Sequence, residues 1–246
     1  MRVPVDAYCM DMDAADLDVG RFYDTLNAEE RERAALFRFE RDRRRYISRR
    51  GKLRELLSDY LDCAPARIGF AYNPFGKPSV AGGDLRFNLS HSHGTALFVF
   101  ARGIEVGCDI ERRDTAFACE QIPERFFSAL EVQTLRSLPA SSKTRAFFNC
   151  WTRKEAFIKA RGCGLSQPLD SFDVSLAPDE PALLLRGCDG WSVQSCEPAP
   201  DHQAAIVAEG ADWQLNFPLL SVAPTTVPIQ NIDFLHRCPL AAARPE

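Results

Sequence analysis

Long apolar runs are missing from this 246-residue sequence. Its most apolar stretches, such as residues 96–101, are far shorter than the ~20 residues that a helix needs to cross a bilayer, so we expect no membrane-spanning segment and no membrane partner. The N-terminal residues include several acids where a secretory signal peptide has an apolar core. These two absences predict a cytoplasmic protein.

Cysteine pairs and a net positive charge are missing as well. The nine cysteines are scattered without one C-x-x-C spacing, which predicts free thiols in a reducing compartment and argues against a zinc knuckle, a redox motif or disulfides. The formal net charge of −4 provides no overall basic surface, so we expect no nucleic-acid partner. The remaining composition is that of a soluble globular protein, and the length fits one large domain or two small ones.

Positive charge is nevertheless concentrated in one segment. Residues 31–54 contain eleven bases and three acids, a local charge of +8, so the rest of the chain carries −12. Few β-branched residues and apolar residues at helical spacing predict a helix that ends near Cys63. Two interpretations stay open: a solvated helix face with local ion pairs, or a site for phosphates, a nucleic acid or an acidic partner. A basic stripe at helical spacing comprises Arg38, Arg41, Arg45, Arg49 and Lys52.

The other elements predict a mixed α and β protein in which helices and strands come twice. A capping box of Ser128 and Glu131 begins one helix, and Gly162 with Gly164 stops a longer helix over residues 145–160. The proline-containing chain from residue 223 onward is expected to lie as an extended strap. Strands are expected at residues 3–10, 68–72, 85–89, 95–101 and 106–110, and again at 172–176, 182–185, 191–196 and 204–207.

One polar cluster, NLSHS at residues 88–92, is expected where a strand enters a loop. Its hydroxyls, loop amides and imidazole could bind a phosphate, although a turn around a satisfied histidine is the more common explanation of such a pattern. A hydrolase based on the Ser–His pair is disfavoured because the G-x-S-x-G pattern of a nucleophile elbow is absent here.

Two further clusters contain carboxylates. On the strand that contains GCDIE, Asp109 and Glu111 point to the same face, either as exposed acids or as oxygen ligands for a hard cation such as Mg²⁺ or Mn²⁺. On the next long helix Trp151, Glu155 and Lys159 share one face. The Glu–Lys pair is either a surface ion pair, or a third carboxylate for a metal or a proton together with an ammonium for a phosphate.

The motifs together resemble one family. In order they are GKP at 76–78, FNLSHS at 87–92, GCDIE at 107–111, RFFSALE at 125–131 and WTRKEAFIKARGCGL at 151–165. This combination is similar to the 4′-phosphopantetheinyl transferases of the Sfp type, over about residues 20–176. The resemblance implies an α+β fold of two similar halves fused in one chain with pseudo-two-fold symmetry, and an active site in the cleft between them. We expect halves at residues 1–104 and 105–222, a C-terminal extension at 223–246, and a monomer.

The resemblance also implies a reaction and its residues. Coenzyme A would donate its 4′-phosphopantetheine group to a serine of an apo peptidyl, aryl or acyl carrier protein, releasing adenosine 3′,5′-bisphosphate. Mg²⁺, or Mn²⁺ in its place, would be held by Asp109, Glu111 and Glu155, with Glu155 also the candidate base. Lys159 would contact the transferred phosphate, and the catalytic set is Glu155, Lys159 and Asp109. The expected coenzyme A contacts are Arg33, Arg45, Lys77, Ser90, His91, Asp109, Glu155 and Lys159.

Two alternatives explain part of the pattern. Another Mg²⁺-dependent enzyme on phosphate esters, such as a phosphohydrolase, would account for the carboxylates and the basic helix, but not for the joint presence of the SHS and WxxKEAxxK motifs. A nucleic-acid-binding module built on the basic helix would show salt-sensitive binding, and the acidic remainder of the chain would oppose it.

Overall fold

A computed structural model describes residues 2–115 and 121–218 of the chain. The predicted extension at residues 223–246 lies outside the described residues. Short 3₁₀ turns occur at Pro65–Arg67, Gly164–Ser166 and Leu169–Ser171. The helices and strands run in the order β1 (Val3–Asp11), α1 (Val19–Asp24), α2 (Ala28–Ala35), α3 (Glu40–Leu61), β2 (Phe70–Tyr72), β3 (Pro78–Val80), β4 (Leu85–Ser92), β5 (Thr95–Arg102), β6 (Val106–Arg112), α4 (Gln121–Phe126), α5 (Ala129–Ser137), α6 (Ala140–Arg161), β7 (Trp191–Cys196), β8 (His202–Glu209) and β9 (Trp213–Asn216).

The first sheet has the strand order β4-β5-β1-β9 and is covered on one face by α3. Strand β1 is antiparallel to β5, with Val5 opposite Ala101, and parallel to β9, with Val3 opposite Trp213. Tyr46, Leu53 and Leu57 of α3 are buried against this sheet, as the apolar spacing of the helix predicts. The first sheet is therefore completed by a strand from near the end of the described chain.

The second sheet has the strand order β6-β8-β7, and α6 covers it. Val106 of β6 lies opposite Ala208 of β8 in an antiparallel pair. Apolar residues on the other face of this sheet meet the uncovered face of the first sheet in a shared core. The α+β fold class is thus confirmed: two sheets lie back to back, each with one long helix outside. The division at residue 104 stays a prediction, and β9 crosses it.

Several elements form as the sequence predicts. Ser128 caps α5, and the Ser128 and Glu131 side chains each accept a backbone N–H of the other residue. Helix α6 ends at Gly162, whose φ of 64° is the left-handed conformation that glycine adopts without strain. Within the described residues no helix is both long and apolar enough to cross a membrane.

Other predictions of secondary structure were wrong. The basic segment is not one helix: α2 ends at Ala35, and Phe39 has an extended backbone before α3 begins. The ring of Phe37 packs 5.2 Å from that of Tyr46 and holds this corner in place. The SHS residues belong to β4 rather than to a loop, since that strand continues to Ser92.

The strands expected at residues 172–176 and 182–185 do not form. A single bridge between Val174 and Leu184 replaces them. The Ser175 hydroxyl donates to the carbonyl of Pro181 and accepts the N–H of Leu183, and proline has no N–H to extend a ladder. The two segments are therefore joined by a short bridge with backbone hydrogen bonds, such as that from Ser175 N–H to the Leu183 carbonyl, and by the Ser175 side chain.

Candidate functional site

Alternate residues of β4 hold the carboxylates of β6. The side-chain oxygen of Asn88 accepts a backbone N–H of β6 at 3.0 Å. Ser90 Oγ donates to Asp109 Oδ1 at 2.8 Å, and Ser92 Oγ donates to Glu111 Oε2 at 2.7 Å. Because side chains alternate along a strand, the two serines share one face of β4 just as the two acids share one face of β6. The two sheets meet at this polar seam.

Helix α6 supplies the other charged groups. Lys159 Nζ donates to Asp109 Oδ1 at 2.6 Å and to Ser90 Oγ at 3.1 Å, while Glu155 lies one turn earlier on the same face. The helix approaches β6 very closely at Gly107, where a Cβ atom would lie 2.2 Å from the backbone nitrogen of Ala160. Only glycine fits there, so this position fixes the height of Lys159 above Asp109.

These groups line a cavity of about 370 Å³. The lining includes two cations, Arg49 of α3 and Lys159 of α6, together with His91 of β4. It also includes three carboxylates, and Trp151 and Leu89 supply the apolar lining. The three carboxylates are Asp109, Glu111 and Glu155. A cavity lined by both cations and carboxylates suits a ligand that bears phosphates and also binds a metal ion.

Crowding of negative charge raises the pKa values of two acids. Burial, and then the charge of Asp109, raise the pKa of Glu111 to about 7. Burial and the same neighbour also raise the pKa of Glu155, although Lys159 opposes this shift. A nearby cation stabilises the ionised form of such carboxylates. Because its pKa is raised, Glu155 is better suited than an ordinary glutamate to accept a proton near neutral pH.

The pKa values of Lys159 and His91 are shifted as well. Burial lowers the pKa of Lys159, but the Asp109 carboxylate outweighs that effect and the net shift is upward, so this ammonium stays charged. His91 has its pKa lowered by desolvation and by the charges of Arg49 and Lys159, so it is neutral at pH 7. The charge of Arg45 lowers the His91 pKa further.

Arg49 is the clearest sign of an anion site. Burial lowers its pKa to about 10, and its guanidinium lies 6.0 Å from the ring centre of Tyr46. Among the described residues no carboxylate forms an ion pair with it. A half-buried arginine without a counter-ion is stabilised by a bound anion.

The three carboxylates provide ligands of the kind that a hard cation prefers. All their donor atoms are oxygens, as Mg²⁺ and Mn²⁺ prefer, and Asp109 Oδ2 is buried without a hydrogen-bond partner among the described residues. No three His, Cys, Asp or Glu side chains in the described ranges are already arranged as a closed ligand set. Asp109, Glu111 and Glu155 thus line the same cavity without forming a closed ligand set.

Three residues expected to contact coenzyme A do not line the cavity. Arg45 forms an ion pair with Asp13 at the edge of the site, and Arg33 lies at the end of α2. Lys77 Nζ contacts Glu105 and the carbonyl of Ala160. Their assignments stay predictions. Ser90 and His91 line the cavity, and their proposed contacts with the ligand also stay predictions.

Sequence reasoning missed three contributors to the site. Arg49 belongs to the basic stripe of the sequence but was not distinguished from its neighbours there. Trp151 begins the helical face that contains Glu155, yet its place in the cavity follows only from how α6 docks. Ser92 holds Glu111, and its spacing of two from Ser90 was the available signal.

Comparison with known proteins identifies the family of this chain. The 4′-phosphopantetheinyl transferase superfamily matches residues 105–207. The 4′-phosphopantetheinyl transferase HetI of Nostoc sp. is 38% identical over 78% of this chain and 82% of its own length. Sfp of Bacillus subtilis, also a 4′-phosphopantetheinyl transferase, is 30% identical over 86% and 95%. The crystal structure of Thermotoga maritima holo-[acyl-carrier-protein] synthase aligns with a TM-score of 0.36 and 20% identity, covering 43% of this chain and 62% of that one. The identity with HetI and Sfp over most of the chain shows that this protein belongs to the 4′-phosphopantetheinyl transferases, a class of transferase enzymes.

Proposed function

We propose that this enzyme transfers the 4′-phosphopantetheine group of coenzyme A to a serine hydroxyl of an apo carrier protein. The serine oxygen forms a bond to the phosphorus that bears pantetheine, and the bond from that phosphorus to the bridging oxygen of the pyrophosphate breaks. The leaving group is adenosine 3′,5′-bisphosphate. The observation that best supports the proposal is the cavity that Lys159 and Arg49 line together with three carboxylates.

The cations of the cavity would bind the phosphates. Lys159 would contact the transferred phosphate, with its position fixed by Asp109 and Ser90. Arg49 and His91 would contact a phosphate further along coenzyme A, since they lie on the side of the cavity formed by the first sheet and α3. Phosphoryl transfer depends mainly on positioning and on neutralising charge, and these groups supply both.

Mg²⁺, with Mn²⁺ as the alternative, would be held by Asp109, Glu111 and Glu155. The metal, when bound, supplies positive charge to the pyrophosphate oxygens. Ser90 and Ser92 orient the two strand acids by donating hydrogen bonds to them. Glu155, whose pKa is raised, would accept the proton that leaves the carrier serine.

The partners follow from this chemistry. An acyl, aryl or peptidyl carrier protein would present its serine at the mouth of the cavity, and the enzyme would act as a monomer in the cytoplasm. The exposed arginines of α3 are available either to coenzyme A or to an acidic carrier surface.

The direct test is intact-mass spectrometry of a purified apo carrier protein after incubation with the enzyme, Mg²⁺ and coenzyme A. We expect the carrier to gain the mass of one phosphopantetheine group, and EDTA to prevent the gain. Release of inorganic phosphate from coenzyme A without any gain in carrier mass would favour a phosphohydrolase instead. A carrier with its serine changed to alanine is the matched control.

A further inference from the structure

The hairpin of β2 and β3 reaches from the first half of the chain to the end of α6. Asn73 Nδ2 donates to the carbonyl of Gly162 at 2.7 Å. Lys77 Nζ donates to the carbonyl of Ala160 at 2.6 Å and pairs with Glu105 Oε2 at 2.6 Å. Two side chains of one turn thus bind the last carbonyls of a helix more than eighty residues further along the chain.

The contact is specific in its shape. The last carbonyls of a helix have no partner within the helix and form its negative end, so an amide N–H and an ammonium are well suited to bind them. A Cβ atom at Gly162 would lie 2.8 Å from Lys77 Cδ and 3.0 Å from Asn73 Nδ2. The turn is held in advance, because Asn73 Oδ1 accepts the backbone N–H groups of Phe75 and Lys77, each at 2.9 Å.

The same helical turn contains catalytic machinery. Lys159 precedes Ala160, and its ammonium lies between Asp109 and Ser90. On its other side this turn rests directly on the backbone of β6 at Gly107. The last turn of α6 is therefore held between the strand that contains Asp109 and the hairpin that contains Asn73.

We infer that Asn73 and Lys77 are positioning residues, which fix the last turn of α6 and so set where Lys159 lies relative to Asp109. This inference rests on the proposed function. It gives Lys77 a different role from the one that its GKP motif implies. Two partners at 2.6 Å engage the Lys77 ammonium, and Lys77 does not line the cavity within the described chain.

Asn73→Asp is the most selective variant for a test. Aspartate keeps the oxygen that accepts the two N–H groups of the turn but removes the donor to Gly162, so the hairpin is retained while its bond to α6 is lost. Lys77→Met keeps the aliphatic stem and removes the ammonium. The matched control is Arg86→Met, because Arg86 shares Glu105 with Lys77 at 2.7 Å but has no hydrogen bond to α6 among the described residues.

Steady-state kinetics with coenzyme A and an apo carrier separate the two roles of Lys77. We expect Asn73→Asp and Lys77→Met each to lower kcat about tenfold and to leave the KM for coenzyme A within about twofold, because a misplaced ammonium affects the transition state more than ground-state binding. Arg86→Met should retain wild-type constants. A raised KM with unchanged kcat in Lys77→Met would overturn the inference and assign Lys77 to the nucleotide, and wild-type constants in Asn73→Asp would overturn it as well.

Amide hydrogen exchange provides a readout that does not need activity. In Asn73→Asp we expect faster exchange at the last turn of α6, residues 158–162, with unchanged exchange at the start of that helix. Unchanged exchange at the last turn would overturn the inference even if the variant is slow. If the wild-type enzyme labels no carrier while this exchange result holds, the proposed function fails and the clamp on α6 stands.

Discussion

The two halves of the molecule repeat one plan. Each has an antiparallel three-strand unit in which the first strand pairs with the last, β4-β5-β1 in one half and β7-β8-β6 in the other. Each inserts two short helices and a 22-residue helix after its first strand. Each long helix ends at a residue with positive φ, Asp62 in α3 and Gly162 in α6. The predicted pseudo-two-fold relation gains support from this order and stays a prediction.

A buried ion pair recurs at corresponding positions. Arg54 is the fifteenth residue of α3 and pairs at 2.6 Å with Glu30, the capping-box glutamate of α2. Lys154 is the fifteenth residue of α6 and pairs at 2.8 Å with Glu131, the capping-box glutamate of α5. Both cations also donate to two backbone carbonyls that follow their helix. The pair joins the long helix, the short helix and the next loop in each half.

The halves differ where chemistry is needed. When Val5 and Val106 are matched by their sheet registers, the first half has Tyr8 and Met10 at the positions that Asp109 and Glu111 occupy in the second. Tyr8 and Met10 pack into the core under α3, and the acids line the cavity under α6. At these two matched positions the first half therefore uses side chains for packing and the second uses them for charge.

The largest expected effect distinguishes the two long helices. Glu155→Gln should lower carrier labelling by about a hundredfold or more, because loss of a general base costs that much and a metal ligand is lost with it. Glu55 occupies the same position of α3 and pairs with Arg21 at the surface, so Glu55→Gln should leave labelling almost unchanged. Asp109→Ala should be as damaging as Glu155→Gln. Circular dichroism checks the fold, and near-normal labelling by folded Glu155→Gln would remove it from catalysis.

The buried pairs should stabilise both halves, the second half more than the first. Lys154→Met leaves Glu131 charged and without its cation. Arg54→Met removes one of the two cations that pair with Glu30, which keeps Arg50. We expect Lys154→Met to lower the free energy of unfolding by about 3–5 kcal/mol and Arg54→Met by less. Urea titrations measure both. In Lys154→Met combined with Glu131→Gln, much of the stability should return, and equal loss in the single and double variants would contradict the pairing.

A third prediction concerns the basic face of α3. Arg49→Gln should raise the KM for coenzyme A about tenfold with little change in kcat, since it removes a charge-assisted contact that is made before and during transfer. Arg44→Gln is the control, because Arg44 is an exposed base on the same helix outside the cavity. If both variants raise the KM equally, the effect is one of overall charge rather than of a defined contact.

The smallest effect is one of pH and concerns Glu111. Its folded-state pKa of about 7 lies above the ordinary 4.5, so the folded protein binds this proton more tightly than the unfolded chain and stability falls as pH rises between those values. Glu111→Gln should therefore stabilise the metal-free protein at pH 8 by about 1–2 kcal/mol, allowing for partial exposure, and by almost nothing near pH 5. Thermal unfolding at both pH values measures this.

The same thermal-unfolding measurement, repeated with added Mg²⁺, tests whether Glu111 binds the metal. Added Mg²⁺ should raise the melting temperature of the wild-type protein at pH 8 more than that of Glu111→Gln, because the ionised carboxylate is a ligand and the amide binds more weakly. An equal shift in the two proteins would exclude Glu111 from the metal site.

Local sequence patterns predicted which site residues share a face of one strand or helix, but not how these elements come together. The two-residue spacing of Asp109 and Glu111 and the four-residue spacing of Glu155 and Lys159 place each pair on one face, and the structure agrees. The docking of β4 beside β6 and the contact of Asn73 with α6 join distant parts of the chain, and no local spacing encodes them. Arg45 and Lys52 of the same stripe pair with carboxylates, whereas Arg49 lines the cavity, and this difference depends on how α3 lies on the sheet.

Strand β9 has a consequence for how the protein is made. It pairs with β1 at the edge of the first sheet, and the backbone N–H of Val3 also donates to the carbonyl of Asp212 at 2.8 Å. During synthesis the edge of β1 that pairs with β9 therefore stays without its partner strand until residues beyond 212 have left the ribosome. The last described strand thus closes the sheet that the first strand began, and that sheet reaches its full width only after the second half has been made.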